Sequence, residues 1–130
     1  MMNNPALTNI ALLAGRVLVA IPFVLGGYNK IGGFAGTQKY MEAFGVPGML
    51  LPLVIALELG AGLLLIIGYQ TRLAALALAG FTLVAGVLFH GKLSDPMQAI
   101  LFFKNVAMAG GMLAIVAAGA GAFSLDARRR

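Results

Sequence analysis

The chain contains no cysteine and no tryptophan, a single histidine and only four acidic residues among its 130. Without cysteine there is no disulfide, no thiolate nucleophile and no cysteine-held zinc or iron–sulfur centre. Any redox chemistry must therefore be borrowed from a bound group, since the chain brings no cofactor chemistry of its own. One histidine and four scattered carboxylates also leave no cluster to hold a metal, and none is expected. Haem ligation by His90 with Met108 or Met112 is a weak reading, because methionines four apart usually signal packing and no second axial ligand shares the depth of His90. Charge of either sign is scarce as well: 10% of the residues are Asp, Glu, Lys or Arg, against about 25% in a soluble domain. What fills the chain is apolar, at 61% hydrophobic residues and a mean hydropathy of +0.97. The solvent that suits such a composition is a lipid bilayer.

Four apolar runs can be drawn, at roughly residues 7–28, 49–68, 73–90 and 97–118. Each is close to the about 20 residues that a helix rising 1.5 Å per residue needs to cross about 30 Å of hydrocarbon. Together they predict an all-α fold, an integral membrane four-helix bundle forming one domain over residues 1–130. The first run is read as a retained helix and not a signal peptide, since residues 1–6 carry no Lys or Arg and Arg16 interrupts the run. The net charge of +5 could suggest nucleic acid, yet the basic residues sit mainly at predicted helix ends and build no basic face. Topology explains them better. Four crossings put both termini on one side with Arg72, Arg128, Arg129 and Arg130, opposite Lys30, Lys39 and Lys92, with Lys104 a little inside the fourth helix. The positive-inside rule then predicts cytoplasmic termini in a multi-pass protein. The run Arg128, Arg129, Arg130 reads first as a topology anchor and second as a contact for anionic lipid.

The longest connection, residues 29–48, is more than a loop. Phe34, Tyr40, Met41 and Phe44 share one helical face while Gln38, Lys39 and Glu42 fall elsewhere, which predicts a short interfacial helix between helices 1 and 2. Gly32, Gly33 and Gly36 loosen its start, and Gly45, Pro47 and Gly48 end it. A capping loop without a function of its own is the alternative.

Arg16 and Glu58 interrupt apolar stretches otherwise free of charge. A charge at the bilayer centre costs about 2.5 to 3.5 kcal/mol on insertion scales, so it needs a partner or a polar interior. Counted from the predicted helix starts, both lie about ten residues in, and antiparallel helices would match their depth. The reading is a buried ion pair, serving either packing or function. Arg16, Phe23 and Lys30 recur every seven residues, within about 40° of one another on a helix. Lys104 and Asn105 lie about two turns inside helix 4, where a lysine either snorkels to the interface or lines a cavity. His90 closes helix 3 on the same side, either as a solvated interfacial residue or as a ligand or proton-handling group. Pro22 removes a backbone hydrogen bond and can kink helix 1, opening a cleft. The predicted lining is Arg16, Phe23, Lys30, Glu58, His90, Lys104 and Asn105, a set that clusters by depth although it comes from all four helices.

These residues, in this order, resemble the DoxX family of small bacterial four-helix membrane proteins. The likeness rests on Gly15-Arg16, Pro22-Phe23, Gly26 and Lys30, then Gly45-Val46-Pro47, then Glu58 followed by Gly68-Tyr69-Gln70-Thr71-Arg72, and last Gly119-Ala120-Gly121-Ala122-Phe123-Ser124-Leu125-Asp126. It extends over nearly the whole chain. The resemblance implies a cytoplasmic-membrane protein associated with oxidoreductase systems, since related members serve as the membrane subunit of a thiosulfate:quinone oxidoreductase or join a redox-defence complex. It is also similar to eukaryotic four-helix proteins that assist membrane-protein assembly.

Two classes of function follow. The first is a membrane subunit that docks a quinone or a similar apolar, carbonyl-bearing molecule between helices, next to an oxidoreductase partner that supplies electrons. An apolar slot would take the tail, with Lys104, Asn105, His90 or Arg16 near the carbonyl oxygens and Glu58 as a proton carrier. The second is a non-catalytic scaffold or assembly factor, with small-solute transport a lesser variant because no repeat or broken helix beyond Pro22 marks a midplane site. Beyond the lipid bilayer, the partners this reading admits are that oxidoreductase subunit and a second copy of the chain, with nucleic acid excluded.

Overall fold

The computed structural model describes residues 4–128 and is helical throughout, with no strand among the described residues. The helices are α1 (Pro5–Gly32), α2 (Phe34–Ala43), α3 (Leu51–Ile67), α4 (Thr71–Phe89), α5 (Pro96–Ala118) and the single turn α6 (Leu125–Arg128), with a 3-10 turn at Gly48–Leu50 leading into α3. Among the described residues, α1, α3 with its 3-10 lead-in, α4 and α5 are long and apolar enough to cross a bilayer. The short helix expected between the first two spans is α2. Arg129 and Arg130, two of the three arginines in the anchor reading, lie outside the described residues.

Local chemistry sets the helix limits. Asn4 accepts from the Ala6 amide at 2.9 Å and Asp95 from the Met97 amide at 3.0 Å. Each N-cap is followed by a proline whose missing N–H costs nothing at a helix start. α3 stops at Gly68, whose φ of 74° is the left-handed C-cap conformation open to glycine. α4 follows after two residues and borrows its cap from far along the chain: the Gln70 and Thr71 amides donate to the Asp126 carboxylate at 2.8 and 3.0 Å. α1 runs unbroken through Pro22, which leaves the Leu18 carbonyl without its usual amide donor.

In the bundle α1 packs on α3, α3 on α4 and α4 on α5, while α5 returns to α1 only sparsely. The core is built mostly from small residues, among them Ala20, Ala61, Ala74, Ala75, Ala79 and Ala109, with Phe23, Leu65, Leu78 and Met112 filling the gaps. Lipid gives helices no hydrophobic reason to associate, so close backbone approach takes that place. Leu18, Leu53, Leu73 and Ile100 are each more than 60% exposed and face hydrocarbon. One end of the bundle carries α2 and the α4–α5 turn, and the opposite end carries the start of α1, the α3–α4 turn and α6.

The α6 end is closed by glycine. A Cβ on Gly68 would lie 2.4 Å from Ser124 Cβ and 2.6 Å from Arg16 Nη1, on a backbone already left-handed, whereas one on Gly60 would meet nothing within 4 Å. Gly68→Ala is therefore expected to destabilise the protein in detergent by about 2 kcal/mol or more. Gly60→Ala should hold or raise the melting temperature, since alanine is the better helix former. Equal melting temperatures for the two variants would refute this account of the turn.

Candidate functional site

Arg16 is fully buried, and its contacts lie at the α6 end. Nη1 donates to the Leu65 carbonyl at 2.7 Å and the Ile66 carbonyl at 3.2 Å, and Nη2 donates to the Phe123 carbonyl. Leu65 and Ile66 are in the last turn of α3, whose carbonyls have no amide further along the helix and carry the negative end of its dipole. A guanidinium there satisfies orphan acceptors and favourable charge together. The segment after α5 is stitched onto the same place: Asp126 N donates to the Gly68 carbonyl at 2.8 Å, the Ala122 amide to Asn9 Oδ1 at 3.0 Å, and Ser124 Oγ to the Gly121 carbonyl at 2.8 Å.

The expected Arg16–Glu58 ion pair is not formed. Glu58 instead pairs with Lys30, Nζ to Oε1, at 2.7 Å. The reason is register. Gly27 lies against Leu59 and Val24 against Gly62, and carried along two antiparallel helices this puts Glu58 level with Tyr28 and Arg16 level with Gln70. Counting from helix starts failed because α1 has 28 residues and α3 only 17, so α1 runs past α3 and equal counts do not give equal depths. The small residue that admits the pair is Gly26, where a Cβ would come 3.3 Å from Glu58 Oε2 and 3.5 Å from Lys30 Nζ.

At the α2 end lies a cavity of about 480 Å³. Six of the seven residues expected to line a cleft do so: Phe23, Lys30, Glu58, His90, Lys104 and Asn105. Arg16 does not, and belongs to the opposite end. The Glu58 side chain is 7% exposed and that of Lys30 29%, so the carboxylate is the deeper partner. Across the cavity the Asn105 amide donates to the Thr82 carbonyl at 3.2 Å, a contact permitted by Gly86, whose Cβ position is 3.3 Å from Asn105 Cβ. His90 ends α4, and its Nδ1 donates to Gln98 Oε1 at 2.9 Å, leaving Nε2 uncommitted. Lys104 makes no ion pair among the described residues. Much of the remaining wall is apolar, from Pro22, Val54, Phe81, Leu88 and Met108, with Thr37, Tyr40 and Thr82 also on the lining. Over the α2 end of the cavity, Tyr40 stacks on Phe89 with centroids 5.4 Å apart, and Phe44 closes the cluster at 4.9 and 5.2 Å from the two rings. Gln38 holds α2 in place by donating to the Gly48 carbonyl at 3.0 Å.

Comparison with known proteins sharpens this. The model of the DoxX family matches residues 11–91, more than half of the chain. The chain belongs to the DoxX family. Two full-length relatives are inner membrane proteins of Escherichia coli (strain K12): YqjF, 47% identical over 92% of both chains, and YphA, 36% identical over 92% of this chain and 90% of its own. A third, CatD of Bacillus subtilis (strain 168), is named as an oxidoreductase and is 32% identical over 68% of this chain and 65% of its own. No solved structure matches. The family match spans α1 to α4 and so includes Lys30, Glu58 and His90, while Lys104 and Asn105 come from α5 beyond it.

In this DoxX-family chain Gln98, Thr82 and Phe89 were not expected at the site, and Tyr40 and Phe44 were expected on the face of α2 but not in an aromatic cluster with Phe89. Gln98 had a signal: Asp95-Pro96 announces the start of α5, which puts Gln98 in its first turn, just across a short link from His90. Thr82 is 2% exposed with its hydroxyl unpartnered, and nothing in an alanine-rich helix marks it as special. The corrected pairing predicts a specific double-mutant result. Lys30→Met and Glu58→Gln should show a coupling of about 1 to 3 kcal/mol in detergent unfolding, whereas Arg16→Met and Glu58→Gln should add within about 0.5 kcal/mol. Additivity in the first cycle would remove the ion pair from the cavity.

Proposed function

We propose that this protein is the membrane subunit of a quinone-linked oxidoreductase system, and that the cavity at the α2 end holds the quinone. The observation that carries this reading is the convergence of the Lys30–Glu58 pair, His90, Lys104 and Asn105, from four different spanning helices, on one mostly apolar space of about 480 Å³. Small-molecule sites are typically about 300 to 1,000 Å³, mostly apolar, with a few convergent polar groups. If packing were the only purpose, apolar residues would serve as well or better in lipid.

The donor set fits a quinone. Its ring suits the slot between Phe23, Phe81 and Phe89, and its carbonyl oxygens need donors, which Lys104 and Asn105 supply from α5. When bound, a quinone accepts electrons and protons. Glu58 is paired with Lys30 beside the cavity, where it can take up or release a proton by changing partners. His90 keeps its Nδ1 proton on Gln98 and offers Nε2 to the site as an acceptor. With no cysteine in the chain, electrons must come from a partner protein, for which the name of CatD offers a parallel. The protein sits in the bacterial cytoplasmic membrane with both termini in the cytoplasm, as Arg72 and the terminal arginines favour. The cavity then faces the outer leaflet.

Purification in mild detergent followed by solvent extraction should recover quinone at near one per protein, and Ala85→Phe, which fills the cavity wall, should lower that at least tenfold without changing the helical circular dichroism. A quinone-free protein would favour the scaffold reading. For orientation, an alkaline phosphatase fusion after Arg130 should be inactive, and full activity would turn the cavity toward the cytoplasm.

A further inference from the structure

The cavity is not electrically neutral. Its charged lining is two ammonium groups, Lys30 and Lys104, and one carboxylate, Glu58. Glu58 is committed to Lys30 at 2.7 Å, and among the described residues no carboxylate lies within 4 Å of Lys104. One positive charge is therefore left over on the α5 wall, eight residues or about 12 Å along a helix that begins at Pro96. Lys92 and Asp95, the other charges of the α4–α5 turn, do not line the cavity, and Asp95 is engaged as the cap of α5. An ammonium beside an apolar space has two ways to lower its energy, by reaching water or by receiving an anion. Lys104 is exposed and can do the first when the cavity is empty, and its place on the lining allows the second.

Resting on the reading of this cavity as a ligand site, we infer that its ligand carries one negative charge on an oxygen, attached to an apolar body, and that Lys104 is the residue that selects for it. The anionic oxygen is either an acidic ring hydroxyl, which makes the ligand an acidic quinone, or a carboxylate, which makes it a fatty acid. The two share the same recognition: an ammonium on Lys104, an amide on Asn105, and apolar contact with Phe23, Phe81 and Met108. Glu58 does not repel such a ligand at close range because Lys30 neutralises it. The arrangement differs from a site for neutral quinones, where two donors without a surplus charge would serve.

The test is equilibrium dialysis of the purified full chain in dodecylmaltoside, corrected for empty micelles, with three probes. 2-Hydroxy-1,4-naphthoquinone is an anion at neutral pH, 2-methyl-1,4-naphthoquinone has the same ring without charge, and oleate carries the carboxylate. The hydroxy compound should bind at least tenfold more tightly than the methyl compound. Lys104→Gln should abolish that preference, and Lys104→Arg should keep it. Lys92→Gln, which removes an equal charge from outside the cavity, should leave the preference intact.

Equal binding of the two naphthoquinones, or a preference that survives Lys104→Gln or falls equally with Lys92→Gln, would overturn this inference and leave the quinone reading standing. Oleate binding that depends on Lys104, with neither naphthoquinone bound, would uphold the anionic oxygen, assign it to a carboxylate and remove the quinone. Binding of none of the three would overturn both.

Discussion

Inside hydrocarbon every backbone carbonyl that a helix leaves over has to find a donor, and the last turn of α3 finds Arg16. Two bonds to Leu65 and Ile66 and a third to Phe123 join α1, α3 and the segment after α5 at a single guanidinium. Water cannot substitute there, so the contact is worth far more than its counterpart at a protein surface. The rest of the α6 end is arranged around it. Gly68 turns the chain so close to the guanidinium that a Cβ there would lie 2.6 Å from Nη1, and Asp126, brought up by the segment after α5, caps α4. Charges that look isolated in the sequence neutralise helix ends, each dipole meeting a group of opposite sign.

At the α2 end the same constraint is met differently. Lys30 and Glu58 pair across the α1–α3 seam, and the α4–α5 seam is crossed by the Asn105 amide donating to the Thr82 carbonyl and by His90 with Gln98. Because α5 closes only sparsely onto α1, the two seams stand apart and a space remains between them. α2 covers it, pinned by Gln38 and by the contact of Tyr40 and Phe44 with Phe89. The cavity follows from helix pairs that are each well packed and only loosely joined.

Much of this was legible before the structure. The four spans announce themselves as apolar runs, α2 as a stripe of Phe34, Tyr40, Met41 and Phe44, and the cavity lining as polar residues that lipid would not tolerate without cause. Five polar lining residues could be named because burial in a membrane makes each polar side chain conspicuous, and Phe23 because it shares a helical face with Arg16 and Lys30. The partner of Glu58 could not, since its identity depends on how far α1 slides along α3, and that register is set by Gly27 and Gly62 among many other glycines. Arg16 is harder still. Its partners are backbone carbonyls, which every residue possesses, so no side chain in the sequence points to them. Lys104 was visible, but its lack of a counter-ion becomes apparent only once Glu58 is seen to be committed to Lys30.

The division of labour between the two ends bears on how such a protein can change. Residues that hold the bundle together and residues that face the cavity occupy opposite halves of the same helices, with Arg16 and Lys30 four turns apart on α1. A substitution at Lys104, which makes no ion pair among the described residues, leaves the carbonyl-capping half untouched, and so its cost in folding is small. The framework can accept a new lining without being rebuilt, which makes the small bundle a chassis on which the identity of the bound molecule is exchanged by a few changes near α2.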